Sequence, residues 1–201
     1  MVDRPYAVGF CSEADLTAVQ RYNVVTVVLD RPPLRPPAHR HDAISAGSSA
    51  CGVCGHHSIR SALEVRPASK RVDTIPDDDL VRELPALLRE QQGVFERTGG
   101  AHAAGLFDAT GTALTIREDV GRHNAVDKVT GARVLAGLDP AATYLVVSGR
   151  AGFELVQKAL AVGTTALVSV GAPTSLSVAL AREGGLALYG FTSARRSVRY
   201  S

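Results

Sequence analysis

The sequence predicts an α/β protein with parallel strands, and two stretches carry that prediction. Residues 144–189 alternate short apolar strands with helical segments in the order βαβαβ, a connectivity that implies parallel strands joined by right-handed crossovers. Residues 105–116 hold two apolar runs flanking Asp108-Ala109-Thr110-Gly111, the pattern of a β-hairpin. At 201 residues with 45% hydrophobic content, the chain can bury a core without covalent staples.

Taken in order, residues 1–30 end in Val24-Val25-Thr26-Val27-Val28-Leu29, a β-branched run that reads as a buried strand. Arg31-Pro32-Pro33-Leu34-Arg35-Pro36-Pro37 cannot continue a sheet and reads as a linker. Ser45 to Ala50 is small and flexible and leads into Cys51-Gly52-Val53-Cys54. Asp77 to Gln92 reads as a helix, with Leu80, Leu84, Leu87 and Leu88 at helical spacing. Acidic Asp77-Asp78-Asp79 suits its start, Gly93 its stop, and Pro85 a kink. After the hairpin, Asn124 to Ala136 reads as a helix that places Ala125, Val129, Ala132 and Ala136 on one face. Then follow a strand at Tyr144–Ser148 and a helix at Glu154–Val162 closed by Gly163. A strand at Ala166–Val170, a helix at Ser175–Glu183 closed by Gly184-Gly185, and a strand at Leu186–Tyr189 complete the series.

Composition narrows the function. A net charge of +2 supplies no global basic field for nucleic acid. No run approaches the ~20 apolar residues of a membrane span. Three cysteines, Cys11, Cys51 and Cys54, make no secreted disulfide framework, and the N-terminus carries no signal pattern, so a reducing cytoplasm is the expected location.

Ligands of open α/β sheets bind beyond the carboxyl ends of the strands. Those positions hold Ser148-Gly149-Arg150-Ala151-Gly152, Gly171-Ala172-Pro173-Thr174-Ser175, and Gly190-Phe191-Thr192-Ser193-Ala194-Arg195-Arg196. Helix-start N–H groups with guanidinium forks suit a phosphate-bearing ligand. The same residues also suit ordinary turns and caps. Arg117 to His123 packs five ionisable groups into seven residues, either as a binding edge or acid–base group, or as a salt-bridged turn with Asn124 as the N-cap. His102 follows Thr98-Gly99-Gly100-Ala101, a lead able to carry it toward a site.

The Cys51/Cys54 pair allows three chemistries. Structural zinc needs four ligands, and no second such pair exists, so Cys11, His56 or His57 would have to complete the site. A zinc deaminase needs H-x-E and P-C-x-x-C, whereas no histidine here has Glu two positions on and Ala50 precedes Cys51. Thiol or persulfide chemistry suits a Gly-rich arm in which one cysteine holds sulfur and the other releases it by forming a disulfide. A thioredoxin-like oxidoreductase is the nearest rival, but it wants a strand before the pair.

Several stretches together resemble the formate dehydrogenase accessory sulfurtransferase family, FdhD. They are Ser48–Gly55, Thr98–Ala104, Arg117–Lys128, Ser148–Lys158, Gly171–Leu176, and Gly190-Phe191 with Arg195-Arg196, spanning about residues 45–201 in the family's order. The resemblance implies a cytoplasmic sulfurtransferase that takes persulfide sulfur from a cysteine desulfurase on Cys51, with Cys54 as its partner. The sulfur passes to the bis-molybdopterin guanine dinucleotide molybdenum cofactor, bound as substrate before insertion into formate dehydrogenase. It implies a cofactor-binding segment at Phe191, Thr192, Ser193, Ala194, Arg195 and Arg196, supported by Ser148, Arg150, Thr174 and Ser175. No structural metal is expected. A non-catalytic cofactor chaperone is the alternative, and a homodimer is compatible with either. The implied fold is a three-layer α/β/α sandwich like that of cytidine deaminase, over residues 46–201. Residues 1–45 then hold the tail of the family's longer N-terminal β-rich segment, at Tyr6–Phe10, and the Pro-rich linker.

Overall fold

The computed structural model describes residues 5–10, 25–29, 32 and 76–201. The cysteines, the Ser45–Ala50 arm and nearly all of the Pro-rich stretch lie outside the described residues. Strands β1 (Pro5–Phe10) and β2 (Val25–Leu29) pair antiparallel as a two-stranded sheet. Val27 is 53% exposed and Val28 46%, which corrects the expectation of a buried strand. β-branched composition suits a pleated surface whether or not it is covered, so it sets the strand but not its burial.

Helix α1 (Asp78–Arg89) begins where Asp77 accepts the N–H groups of Asp79 and Leu80, at 2.8 and 3.3 Å. It runs unbroken through Pro85, and Val81, Leu84 and Leu88 are its buried face. A short helix, α2 (Gly93–Thr98), follows; periodicity had too few residues to signal it. The hairpin is β3 (His102–Phe107) and β4 (Ala113–Asp119). Asp108 accepts from Thr110 and Thr112 within its turn. Helix α3 (Arg122–Leu135) starts two residues before the predicted point, with Gly121 as its N-cap. Asn124 therefore lies inside the first turn, and its side chain donates to Asp119 instead. Ala125, Val126 and Val129 are the buried face of α3, while Ala136 is the exposed C-cap.

The βαβαβ run is β5 (Tyr144–Val147), α4 (Phe153–Val162), β6 (Ala166–Ser169), α5 (Ser175–Gly184) and β7 (Ala187–Ser193). A final strand, β8 (Arg196–Arg199), pairs antiparallel with β7. The sheet order is β4-β3-β5-β6-β7-β8, with β5, β6 and β7 parallel as expected. The third parallel strand runs four residues past Tyr189 and turns back as a hairpin, which corrects its reading as a strand followed by a loop.

The two sheet faces are covered differently. Tyr144, Val146, Val168 and Tyr189 face α1, whereas Leu145, Val147, Leu167 and Leu188 face the α3–α4–α5 side. The alternation along each strand is the period-two pleat, and both faces are buried, as parallel strands require. Two phenols pin α1 from below. The Tyr144 oxygen accepts the Asp77 N–H at 3.1 Å, and the Tyr189 hydroxyl donates to Asp78 at 2.8 Å. This layering leaves the carboxyl ends of β5, β6 and β7 open at one edge, beneath the C-terminal end of α1. No helix among the described residues is long and apolar enough to cross a membrane.

Candidate functional site

A cavity of about 640 Å³ opens at the carboxyl ends of the parallel strands. Its base holds Ser148 after β5, Val170 after β6, and Thr192, Ser193 and Ala194 at the end of β7. His102, the first residue of the antiparallel β3, comes to the same edge. Pro85, Ala86, Leu88 and Arg89 of α1, then Gln92, Phe95 and Gly99–Ala101, form the opposite wall.

That wall is held by the charged segment after β4. The Glu118 carboxylate accepts the N–H groups of Val94 and Phe95, one on each oxygen, both at 2.8 Å. Those donors are at the start of α2, whose own N-cap residue, Gln92, supplies no side-chain bond. The Arg89 guanidinium lies 4.3 Å from the centre of the Phe95 ring, tying α2 to α1. Asp119 accepts from the Gly121 N–H at 2.8 Å and pairs with Lys128 at 2.5 Å. Lys128 and the Gly121 N–H hold its carboxyl below the usual carboxylate range. Of the two readings of the charge-dense segment, the salt-bridged turn describes Asp119, and Glu118 is a wall support.

His102 faces the base of the cavity. Ser148 Oγ accepts the Ala103 N–H at 2.9 Å and lies 3.4 Å from His102 Nδ1. Gly149 lies beside this pair, and a β-carbon there would stand 3.4 Å from the imidazole and 3.5 Å from Arg122 Cδ. These are ordinary contact distances, so both side chains pack directly against this glycine. Gly171 meets a stricter demand: its β-carbon would stand 3.0 Å from Arg150 Cα and 3.1 Å from Arg150 N, backbone atoms that cannot swing aside.

On the far side of Gly149, Arg122 and His123 of α3 meet Glu154 of α4. His123 Nε2 is 3.5 Å from a Glu154 oxygen. Arg122 Nε, His123 Nε2 and Glu154 Oε1 are buried without hydrogen-bond partners among the described residues. Burial pushes the His123 imidazole below its usual value; the Arg122 charge adds to that shift and Glu154 opposes it.

The other expected ligand residues are spread around this edge. Ser148, Thr192, Ser193 and Ala194 line the cavity. Arg195 is in the β7–β8 turn and Arg196 opens β8, next to that lining. Phe191 takes φ +51°, the single non-glycine residue with positive φ among those described, and is 40% exposed with the Arg196 guanidinium 5.2 Å from its ring centre. Strain of this kind concentrates at functional sites. Thr174 caps α5, its hydroxyl accepting the Ser177 N–H at 3.2 Å, and Ser175 begins that helix. Arg150 is exposed, and neither it nor Thr174 or Ser175 is part of the cavity lining. Arg89, Gln92 and Phe95 were not singled out in the sequence; no motif marks them, since they reach the cavity by tertiary packing of α1 and α2.

A family model described as the FdhD/NarQ family matches residues 5–201. The chain belongs to the FdhD/NarQ family. The match begins at residue 5, well before the first motif that carried the resemblance. A protein named sulfur carrier protein FdhD from Nocardia farcinica is 46% identical over 185 residues, covering 90% of this chain and 64% of that protein. Another of the same name, from Mycobacterium tuberculosis, is 42% identical over 195 residues, covering 92% of this chain and 68% of that protein. This FdhD/NarQ chain thus spans just under two thirds of the length of its Nocardia relative. A crystal structure described as a formate dehydrogenase accessory protein from Desulfotalea psychrophila superposes with a TM-score of 0.68 at 21% identity, covering 98% of this chain and 69% of that one. At that identity it speaks to the fold, and the two folds agree.

Proposed function

We propose that this chain is a sulfur carrier that receives sulfur as a persulfide on Cys51 and releases it with the help of Cys54. The sulfur comes from a cysteine desulfurase and goes to a molybdenum cofactor of the bis-guanine-dinucleotide type, destined for formate dehydrogenase. The name shared by the relatives supports the carrier role. The observation that carries the ligand half is the meeting of Ser148, Thr192, Ser193 and Ala194 around one cavity at the carboxyl edge of the sheet. Its volume falls among small-ligand sites, ~300–1,000 Å³. A cofactor with two dinucleotide arms is larger than such a site, so the cavity takes one arm. The guanidinium groups of Arg195 and Arg196, beside the lining, provide forks for its phosphates, with Arg150, Thr174 and Ser175 on neighbouring turns.

Reach is no obstacle to this chemistry. Cys54 precedes Pro76 by 22 residues, and an extended chain of that length spans up to ~75 Å. The working unit in this reading is residues 46–201, in a sandwich of the cytidine deaminase kind, with residues 1–45 as a β-bearing segment and its linker. The protein acts in the cytoplasm, with the desulfurase and formate dehydrogenase as partners, and a homodimer is its proposed assembly.

The test is intact mass after incubation with a cysteine desulfurase and cysteine. The wild type gains one sulfur atom, and Cys51→Ala gains none while keeping its circular dichroism spectrum. A Cys51→Ala protein that loads sulfur as the wild type does refutes the assignment. Folded wild type that takes no sulfur but binds a guanine nucleotide is instead a cofactor chaperone.

A further inference from the structure

Exposed apolar side chains gather where the cavity opens. Val120 and Val170 both line it, and Val120 is 82% exposed. Val94 and Phe191 extend the same surface to either side, and Val94, Val170 and Phe191 are 41%, 42% and 40% exposed. Hydrogen bonds fix these residues along one edge. The Val94 N–H donates to Glu118, two residues before Val120, and the Phe191 N–H donates to the Gly171 oxygen, next to Val170, at 3.1 Å. Single exposed valines are ordinary, but four large apolar side chains around one opening make a patch, and patches mark binding surfaces. Neither Val120 nor Phe191 is exposed by slack in the chain. Val120 is in the bend between β4 and α3, which Asp119 clamps through the Gly121 N–H, Asn124 and Lys128. Phe191 takes φ +51°, a strained conformation for an aromatic residue, without gaining burial from it.

The free charges around the patch are positive. Arg150, packed against Gly171, is exposed, as are Arg195 and Arg196 after Phe191. None of the three forms an ion pair among the described residues. The carboxylates of this edge, Glu118 and Asp119, are engaged by α2, by Gly121 and by Lys128. Helix α2 adds one charge of each sign, Glu96 and Arg97.

We propose that this patch is the docking surface for the protein that receives the cavity's ligand, a partner whose contacting face is apolar at its centre and carries carboxylates around it. The inference rests on the carrier function proposed above. A partner seated on the rim closes the mouth of the cavity, as an acceptor must, whereas a desulfurase addresses the cysteine pair. A second copy of this chain does not fit, because a two-fold contact through one patch sets its arginines against their own copies. The homodimer proposed above therefore uses another face. Removing the apolar side chains from water drives the association, and the unpaired guanidinium groups orient and speed it.

The experiment uses the full chain as wild type, Val120→Asp, Val120→Lys and Val94→Ser. Leu138→Asp is the control, on an exposed apolar side chain beyond the C-terminal end of α3. Circular dichroism checks that each is folded. The probe is cofactor-free formate dehydrogenase, with affinity read by biolayer interferometry at rising salt. Sulfur loading by a cysteine desulfurase, read by intact mass, and the chain's own sedimentation are measured on the same samples. The wild type is expected to bind formate dehydrogenase and to weaken as salt rises. Val120→Asp sets a carboxylate against a carboxylate-bearing face and is expected to lose about 10-fold or more in affinity, and Val120→Lys less. Val94 is outside the cavity lining and reports docking alone, so Val94→Ser is also expected to weaken binding, while Leu138→Asp binds as the wild type does. Sulfur loading stays at the wild-type level throughout. Wild-type affinity in both Val120→Asp and Val94→Ser overturns the proposal, as does a wild type that does not bind formate dehydrogenase. Patch variants that lose sulfur loading or self-association instead assign the patch to the sulfur donor or to a second copy, and overturn it as well. A wild type that binds formate dehydrogenase through this patch but never acquires sulfur sinks the carrier function and leaves the docking surface standing.

Discussion

Replacing Glu118 with alanine tests whether the cavity wall hangs on one carboxylate. The six residues of α2 are too few to hold a helix unaided. Its first turn is satisfied from another strand, by two N–H groups on the two Glu118 oxygens at 2.8 Å each. A hydrogen bond to a charged group contributes about 1.5–3 kcal/mol, less where water competes. The Val94 bond is exposed and the Phe95 bond half-buried, so the pair together is worth about 2–3 kcal/mol. Glu118→Ala removes both. Glu118→Gln keeps one amide oxygen as acceptor without the charge and loses about half as much.

The cost is local, because Val94 and Phe95 contribute little to the buried core. Amide exchange over residues 93–101 therefore reads it best. Opening free energy lower by 2–3 kcal/mol speeds exchange there by roughly 30- to 150-fold, with α4 and β5 unchanged. Glu96→Ala, on the exposed side of the same helix, is the control for lost charge. If Glu118→Ala leaves exchange over 93–101 at the wild-type rate, the wall is held by the Arg89–Phe95 contact and the chain's own stiffness, and the reasoning fails.

Two further outcomes follow from the same geometry. Tyr189→Phe removes the hydroxyl that donates to Asp78 and is expected to lower the urea midpoint by an amount equivalent to about 0.5–1.5 kcal/mol; an unchanged midpoint means that this bond does not fix the start of α1. Asp119 has its carboxyl pKa depressed in the fold by Lys128 and the Gly121 N–H, so its contribution is present above the ordinary carboxylate range and is lost as pH falls through the depressed value. Asp119→Asn should flatten that acid limb of stability against pH, and an identical limb in the variant would assign it to other groups.

The parallel core was legible because its signals are local and repeated. Strands β5 and β6 are short apolar runs, and α4 and α5 end at glycine C-caps, each recognisable within ten residues. The strand β8 escaped because its sequence, Arg-Ser-Val-Arg, is half charged, and only pairing with β7 makes it a strand. The same pairing turned the expected Phe191–Arg196 loop into a hairpin that presents Ser193 and Ala194 to the cavity while Arg195 and Arg196 stay exposed at its tip. The cavity's far wall was invisible for a related reason. Residues 85–101 meet the sheet edge through contacts with Glu118 and Arg89 that no spacing along the chain encodes.

The charge-dense segment shows how motif and ligand come apart. Arg117 to Asn124 has the composition of a binding edge, yet its carboxylates are occupied: Glu118 by α2, Asp119 by Gly121, Asn124 and Lys128. A carboxylate whose oxygens already hold structural donors is fixed in orientation by them, so these two serve the fold first. Three buried polar atoms without hydrogen-bond partners among the described residues lie one step further on, at Arg122, His123 and Glu154, where the starts of α3 and α4 meet behind Gly149. They are set apart from the cavity lining, whereas His102, on the other side of the same glycine, is part of it. Gly149 thus separates a buried charged cluster from an imidazole that lines the cavity, so of the two histidines flanking it, His102 is the one that a ligand in the cavity would meet.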